Sequence, residues 1–166
     1  MVSHHVSPLD SILYRIQKRL FDIVFSGAVI VGLLSWFTPL LAILIWADSK
    51  GPLFFIQKRP GRFKKTFPCI KFRSMTVNNR TEKSATKNDA RVTRVGRVIR
   101  NTSLDELPQF FNVFFGQMSI VGPRPNLTSQ NDHYSKIFDD YPKRMYLKPG
   151  ITGLAQVSGA RGGIDK

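Results

Sequence analysis

The residues of this chain best suited to chemistry are two adjacent carboxylates, Asp105 and Glu106, in the run Asn101-Thr102-Ser103-Leu104-Asp105-Glu106-Leu107-Pro108-Gln109. A carboxylate pair among cations can hold a divalent metal and attack or orient a phosphoryl group. Positive surroundings should lower both pKa values and keep both acids ionised at neutral pH. A purely structural reading competes with this one. In it Ser103 caps a helix, Glu106 closes a capping box three residues later, and the first-turn dipole favours Asp105. Pro108 disturbs that account, because at the fifth helical position it lacks the N–H that should bond Leu104. Leu107, Phe110, Phe111 and Phe114 follow at i, i+3, i+4 and i+7, an apolar stripe that would hold the segment rigidly.

Cations gather upstream of the pair. Of the 25 Lys and Arg, 14 lie between Gln57 and Arg100, against only Glu82 and Asp89. Arg91, Arg94, Arg97 and Arg100 recur every three residues. On a helix that spacing drifts by about 60° per step, so Arg100 points away from Arg91 and needs its own partner. Downstream, Arg124 stands between Pro123 and Pro125, whose fixed φ angles hold the guanidinium rigidly enough for bidentate phosphate recognition. A rigid surface turn would read the same way. The loop Lys148-Pro149-Gly150-Ile151-Thr152-Gly153 matches neither a P-loop nor a dinucleotide fingerprint. His133 and the His4-His5 pair lack partners at ligand spacing, and the single Cys69 excludes thiolate zinc sites and internal disulfides.

The elements that must position these groups begin with an uncharged run from Ile23 to Ala47, long enough to cross a hydrocarbon core. Pro39 within it should kink the helix, with Ser35 and Thr38 able to bond the freed backbone groups. Arg15, Lys18 and Arg19 precede the run while Lys50, Lys58, Arg59 and Arg62 follow it. Two basic flanks suit a segment that bends and returns to its starting side, and a kinked single-pass helix remains the alternative. Short strands are expected over Leu53–Gln57 and Phe67–Phe72, an exposed loop over Thr76–Asn88, and an amphipathic core-facing helix through Tyr134, Ile137, Phe138 and Tyr141. A length of 166 residues limits the chain to a small domain with an anchor, and 42% hydrophobic residues exclude a disordered basic tail. A net charge of +14 calls for a polyanion, an anionic membrane or a phosphorylated small molecule as partner.

Six segments, taken together, resemble the bacterial sugar transferases. They are Lys18 to Asp22, Phe54 to Gly61, Lys71 to Met75, Thr102 to Gln109, Met118 to Pro125 and Lys148 to Gly153. More narrowly, they are similar to the monotopic polyprenyl-phosphate phosphoglycosyl transferases. The resemblance implies an α+β, mostly helical fold in three parts: an extension over 1–17, a kinked re-entrant membrane helix over 18–48, and a small cytosolic catalytic domain with few short strands over 49–166. It implies transfer of a sugar 1-phosphate from a UDP-sugar to undecaprenyl phosphate, with release of UMP, at the cytoplasmic face of a bacterial inner membrane. Asp105 would be the nucleophile and would hold Mg²⁺ with Glu106. Lys71, Arg73, Arg100 and Arg124, with Pro123 and Pro125, would bind phosphate groups, and Thr38-Pro39 would mark the break in the membrane helix. Relatives continue past the Gly159–Gly163 region, so the chain is expected to be truncated at Lys166. The partners are then the nucleotide sugar, the lipid phosphate and an anionic membrane, without nucleic acid. The rival readings are a catalytically impaired member of the family and a membrane-tethered basic protein that binds polyanions through charge alone.

Overall fold

The computed structural model describes residues 11–77 and 89–159. The His4-His5 pair, most of the expected loop at Thr76–Asn88 and the region after Gly159 lie outside the described residues.

A long apolar rod comes first: α1 (Ile12–Val29), a wide π turn (Ile30–Leu34) and α2 (Ser35–Asp48). The irregularity expected at Pro39 sits one turn earlier. Pro39 lies inside α2, and helical geometry continues through Thr38. A π turn accommodates a missing N–H by widening the preceding residues instead of breaking the helix at the proline. Ser35 Oγ donates to Val31 O at 2.6 Å within that turn. No side-chain bond from Thr38 to a freed group is present among the described residues.

Both ends of the rod grip the same globular body. Near the start, Asp22 is buried and its Oδ1 accepts from Ser119 Oγ at 3.1 Å and from the Ile120 N–H at 2.9 Å. Lys18 Nζ donates to Ser119 Oγ and to Val121 O. Arg19 donates to Val113 O at 2.8 Å and Phe114 O at 2.7 Å, adding to the Gly116 N–H that already reaches Val113 O at that helix end. At the far end Asp48 Oδ2 accepts from the Val95 N–H at 2.8 Å. Run straight, the thirty residues from Lys18 to Asp48 would reach about 45 Å, more than the width of a domain of this size. The rod therefore lies along the body over most of its length, touching it from α1 to the end of α2. Its outer face, including Val31, Ile43 and Leu44, stays exposed.

The body opens with an antiparallel hairpin, β1 (Phe54–Pro60) and β2 (Thr66–Phe72), in which Phe54 pairs with Phe72 and Pro60 with Thr66. Next come α3 (Arg94–Asn101), a 3₁₀ turn at Leu104–Glu106 and α4 (Gln109–Phe114). A two-stranded parallel pair joins β3 (Ser119–Val121) to β4 (Gly150–Thr152), with α5 (Thr128–Ile137) and a 3₁₀ stretch at Tyr141–Tyr146 between them and α6 (Leu154–Val157) after. The result is α+β and mostly helical, as expected. One core gathers Leu34, Leu41 and Ile45 of the rod with Phe72 and Ile99. A second joins Phe67, Cys69, Val113, Met118 and Ile120. Gly96 sits where a Cβ would meet Ser74 O at 1.9 Å, so α3 lies directly on the chain after β2.

The Tyr134–Tyr141 stripe is a correction. The helix ends at Ile137, and Ile137 and Phe138 are both exposed. Tyr134 instead packs against Tyr141 across the turn, with the rings tilted and 5.3 Å between centroids.

Candidate active site

Asp105 and Glu106 sit in a tight 3₁₀ turn entered through Ser103, whose φ of 61° is left-handed. The capping box of the structural reading does not form, because Ser103 makes no side-chain cap bond and α4 begins only at Gln109, with Pro108 as its N-cap. Proline is comfortable there, since an N-terminal N–H would be unpaired anyway. Leu104, Leu107, Phe110 and Phe111 pack on the rod and hairpin core and fix the turn from below.

Glu106 is clamped. Lys71 Nζ lies 2.8 Å from its Oε1, and the Arg124 fork reaches Oε1 at 2.8 Å and Oε2 at 3.3 Å. The two cations outweigh the opposing effect of burial and pull its pKa down to about 2. Asp105, one residue earlier and also buried, behaves in the opposite way. Burial pushes its carboxyl up, Glu106 adds to this, and Lys71, Arg100 and Arg124 pull against both. The expectation that both acids would be lowered thus holds for Glu106 and fails for Asp105, because desolvation outweighs the cations there. Among the described residues no hydrogen bond or ion pair occupies the Asp105 oxygens. Two neighbouring carboxylates with divergent pKa values divide the work: one is fixed in charge and place, the other is left free to react.

Each flank of the turn is braced. The buried Asn112 of α4 accepts from the Ile70 N–H at 3.1 Å and donates to Pro68 O at 2.7 Å, which sets Lys71 opposite Glu106. β3 leads into Pro123-Arg124-Pro125, and there the Arg124 carbonyl accepts from Arg144 while Arg59 donates to Pro125 O at 3.4 Å. Tyr141 Oη receives Arg144 Nη1 at 2.7 Å, with the Arg144 guanidinium 4.9 Å from the centre of the same ring. Gly122 and Gly150 make this approach possible, since a Cβ on Gly150 would lie 2.1 Å from Gly122 N.

The structure therefore brings together Asp105, Glu106, Lys71, Arg100 and Arg124, with Pro123 and Pro125 holding the last. Arg100 reaches Ser74 Oγ at 3.5 Å and acts on Asp105 through its charge. Arg73 is drawn away. Its guanidinium is buried against the end of α2, donating to Ser49 Oγ at 2.8 Å, Lys50 O at 2.7 Å and Ser49 O at 2.7 Å. It holds the chain leaving α2, beside the Ser49 N–H bond to Ile45 O that closes the last turn. Sequence reasoning gave no role of their own to Asp22, Asn112 or Arg144. A buried role for an Asp within an amphipathic stretch leaves no periodic signal.

Among the described residues no three His, Cys, Asp or Glu side chains cluster as a metal cage. Mg²⁺ commonly takes one or two carboxylates and completes its shell with water and substrate phosphate. Asp105, with oxygens unengaged, fits that role, whereas Glu106 already spends both oxygens on cations. An anionic ligand placed here would meet three cations around one reactive carboxylate.

The sequence profile described as "Bacterial sugar transferase" matches residues 13–166. A UDP-glucose:undecaprenyl-phosphate glucose-1-phosphate transferase of Klebsiella pneumoniae is 50% identical, over 96% of this chain and 34% of its own length. A UDP-N-acetylgalactosamine-undecaprenyl-phosphate N-acetylgalactosaminephosphotransferase of Aeromonas hydrophila is 44% identical over 91% of this chain and 36% of its own. An undecaprenyl-phosphate galactose phosphotransferase of Salmonella typhimurium is 43% identical over 91% and 34%. The chain thus spans about a third of the length of these curated relatives.

Proposed function

The chain belongs to the bacterial sugar transferase family, and from that premise we propose that it moves a sugar 1-phosphate from a UDP-sugar to undecaprenyl phosphate. The observation that carries the reading is the division within the dyad. Asp105 is buried and unengaged beside a Glu106 fixed by Lys71 and Arg124.

In the proposed reaction an Asp105 oxygen attacks the sugar-bearing phosphorus of the donor. The bond from that phosphorus to the bridging oxygen breaks, UMP leaves, and a phosphosugar remains on the carboxylate. An oxygen of the lipid phosphate then attacks the same phosphorus and restores Asp105. Lys71, Arg100 and Arg124 neutralise the charge that accumulates in both displacements. Mg²⁺ bound at Asp105 and the donor phosphates would supply further charge neutralisation. Glu106 acts by keeping Lys71 and Arg124 in place. Asp105 must be ionised to attack, so its burial is tolerable only because the cations are close.

The rod is read as a re-entrant membrane segment at the cytoplasmic face of the inner membrane. What supports this is a 37-residue helical stretch that holds an apolar window of 18 residues, an exposed outer face and two ends that both contact one body. The names of the relatives carry glucose, galactose and N-acetylgalactosamine, so the sugar is a question for the assay.

The test is UMP release by the detergent-solubilised chain with Mg²⁺, undecaprenyl phosphate and a panel of UDP-sugars. One UDP-sugar should give lipid-dependent release, and Asp105→Asn should lower it by at least about a thousandfold while remaining folded. Release that survives Asp105→Asn would reject the covalent route. Silence across the panel would favour a charge-driven binding protein, as would salt-sensitive polyanion binding unaffected by the substitution.

A further inference from the structure

The tip of the β1–β2 hairpin has an unusual conformation that the proposed chemistry does not use. Phe63 and Lys64, the two central residues of the turn from Arg62 to Lys65, have φ of 54° and 61°. The Lys65 N–H closes the turn on Arg62 O at 3.2 Å. Positive φ at both centres is the type I′ arrangement, which Asn-Gly adopts readily and a Phe-Lys pair adopts only under strain. Strain of this kind is kept where the surroundings hold it and something is gained by it.

The turn displays a ring. Phe63 is 56% exposed, the Arg62 guanidinium stands 4.6 Å from its centre, and Tyr146 meets it edge-on at 6.1 Å. Arg62 Nε also donates to Tyr146 O at 3.0 Å, which fixes the two segments together. Lys64 and Lys65 are exposed beside them. Asp140, which precedes the stretch that carries Tyr146, is paired with Lys143 at 2.6 Å. From the tip the positive charge runs on. Lys148 lies within electrostatic reach of Arg62 and of Lys18 and Arg19, and the one acid among the described residues that acts on it, Asp22, is committed to β3. The strip thus joins the hairpin tip to the start of the apolar rod, and Val121, exposed, lies along it.

Exposed aromatic rings flanked by Lys and Arg have the composition of side chains that settle among lipid headgroups. Cations next to an anionic leaflet gain from its surface potential. Continuity with the apolar rod favours lipid over nucleic acid, which the same cations and rings would also attract.

We propose that the hairpin tip, Phe63 and Tyr146 with Arg62, Lys64 and Lys65, is a second membrane contact seated in the headgroup layer of an anionic leaflet. The proposal rests on the reading of Ile12–Asp48 as a membrane segment. Two separate contacts would set the tilt of the domain and so the height of the Asp105 turn above the leaflet.

Spin labels on the full chain test it in proteoliposomes. Thr66→Cys reports on the tip, Ile43→Cys on the outer face of α2, and Ser129→Cys on α5, each in a Cys69→Ala background. Collisions with dissolved oxygen and with an aqueous nickel chelate are compared in phosphatidylcholine vesicles and in vesicles containing phosphatidylglycerol. The Ile43 label should be lipid-exposed in both and the Ser129 label aqueous in both. At Thr66, nickel collisions should fall at least about threefold in anionic vesicles, return with about 0.5 M NaCl, and return in Phe63→Ser with Arg62→Ser. A tip that stays aqueous in anionic vesicles while Ile43 is lipid-exposed overturns the proposal and leaves the membrane reading intact. Shielding that appears only at high protein density means a second copy, and shielding only with added oligonucleotide means nucleic acid; either overturns it. An aqueous Ile43 label removes the premise, and the proposal with it.

Discussion

Glu106→Gln separates the electrostatic account of the dyad from any account based on shape. The substitution keeps size and one acceptor oxygen but removes the charge that Lys71 and Arg124 hold at 2.8 Å. Glu106 titrates near its ordinary 4.5 when unfolded and at about 2 when folded. A lowered folded pKa means that its contribution to stability is complete above pH 4.5 and fades as the pH falls toward 2. At about 1.4 kcal/mol per pH unit, the displacement amounts to roughly 3 kcal/mol at neutral pH. For a chain of this size that is about 6–12 °C in melting temperature. Thermal unfolding in detergent should therefore show Glu106→Gln melting lower by that amount at pH 7, with less than half of the gap left at pH 3. The same variant should move the acid limb of the rate profile. Asp105 loses a repulsive neighbour while Lys71 and Arg124 become free to turn toward it, so its pKa falls and the limb shifts to lower pH. A melting gap unchanged between the two pH values, or an acid limb that stays put, would refute the reasoning.

Three further outcomes concern the scaffold. Arg73→Lys should lower the melting temperature by the equivalent of about 2–3 kcal/mol, because an ammonium cannot span Ser49 Oγ, Ser49 O and Lys50 O as the fork does. The affinity for UDP-sugar should be much less affected, and binding measured beside stability separates the two roles. Gly96→Ala should yield little folded protein, since the new Cβ would overlap the Ser74 carbonyl at 1.9 Å, and recovery in detergent gives the readout. Phe63→Asn with Lys64→Gly should raise the melting point by the equivalent of about 1–2 kcal/mol by relieving two left-handed residues. Unchanged melting would mean that the surroundings had already compensated the turn.

Much of this molecule is written in local patterns, and those parts were legible. The hairpin strands show in Leu53–Gln57 and Phe67–Phe72 because aromatic and β-branched residues bounded by Gly and Pro allow little else. Asp105, Glu106, Lys71 and Arg124 were singled out by residue type and resemblance, and they converge in space. What the sequence could not convey were contacts between distant segments. Arg73 lies two residues from Lys71 in a basic motif, and alternation would set both on one face, yet β2 ends at Phe72 and the chain beyond it turns Arg73 toward the α2 terminus while Lys71 faces Glu106. The opposite behaviour of the two carboxyls depends on which of them the cations touch: both are buried, but only Glu106 is bonded directly by Lys71 and Arg124, and the count of nearby cations says nothing of that. At Pro39 the chemistry of the missing N–H was legible, but not the choice between a sharp kink and a widened turn upstream.

The clasp of Asp22 on β3 also bears on how the chain is made. Its hydrogen bonds join residues 97 and 98 positions apart, so α1 waits for nearly a hundred further residues to be made before its buried carboxylate meets Ser119 and Ile120. Until then the carboxylate at the start of an apolar helix must stay hydrated, and so the early rod is held at a water boundary and cannot sink fully into an apolar phase. Closure of a loop that long comes late in folding, when its entropy loss can be met by contacts already in place. The strand that delivers Arg124 is thus completed by a segment made about a hundred residues earlier, and the Asp105 turn and the helix end are seated in one cooperative step.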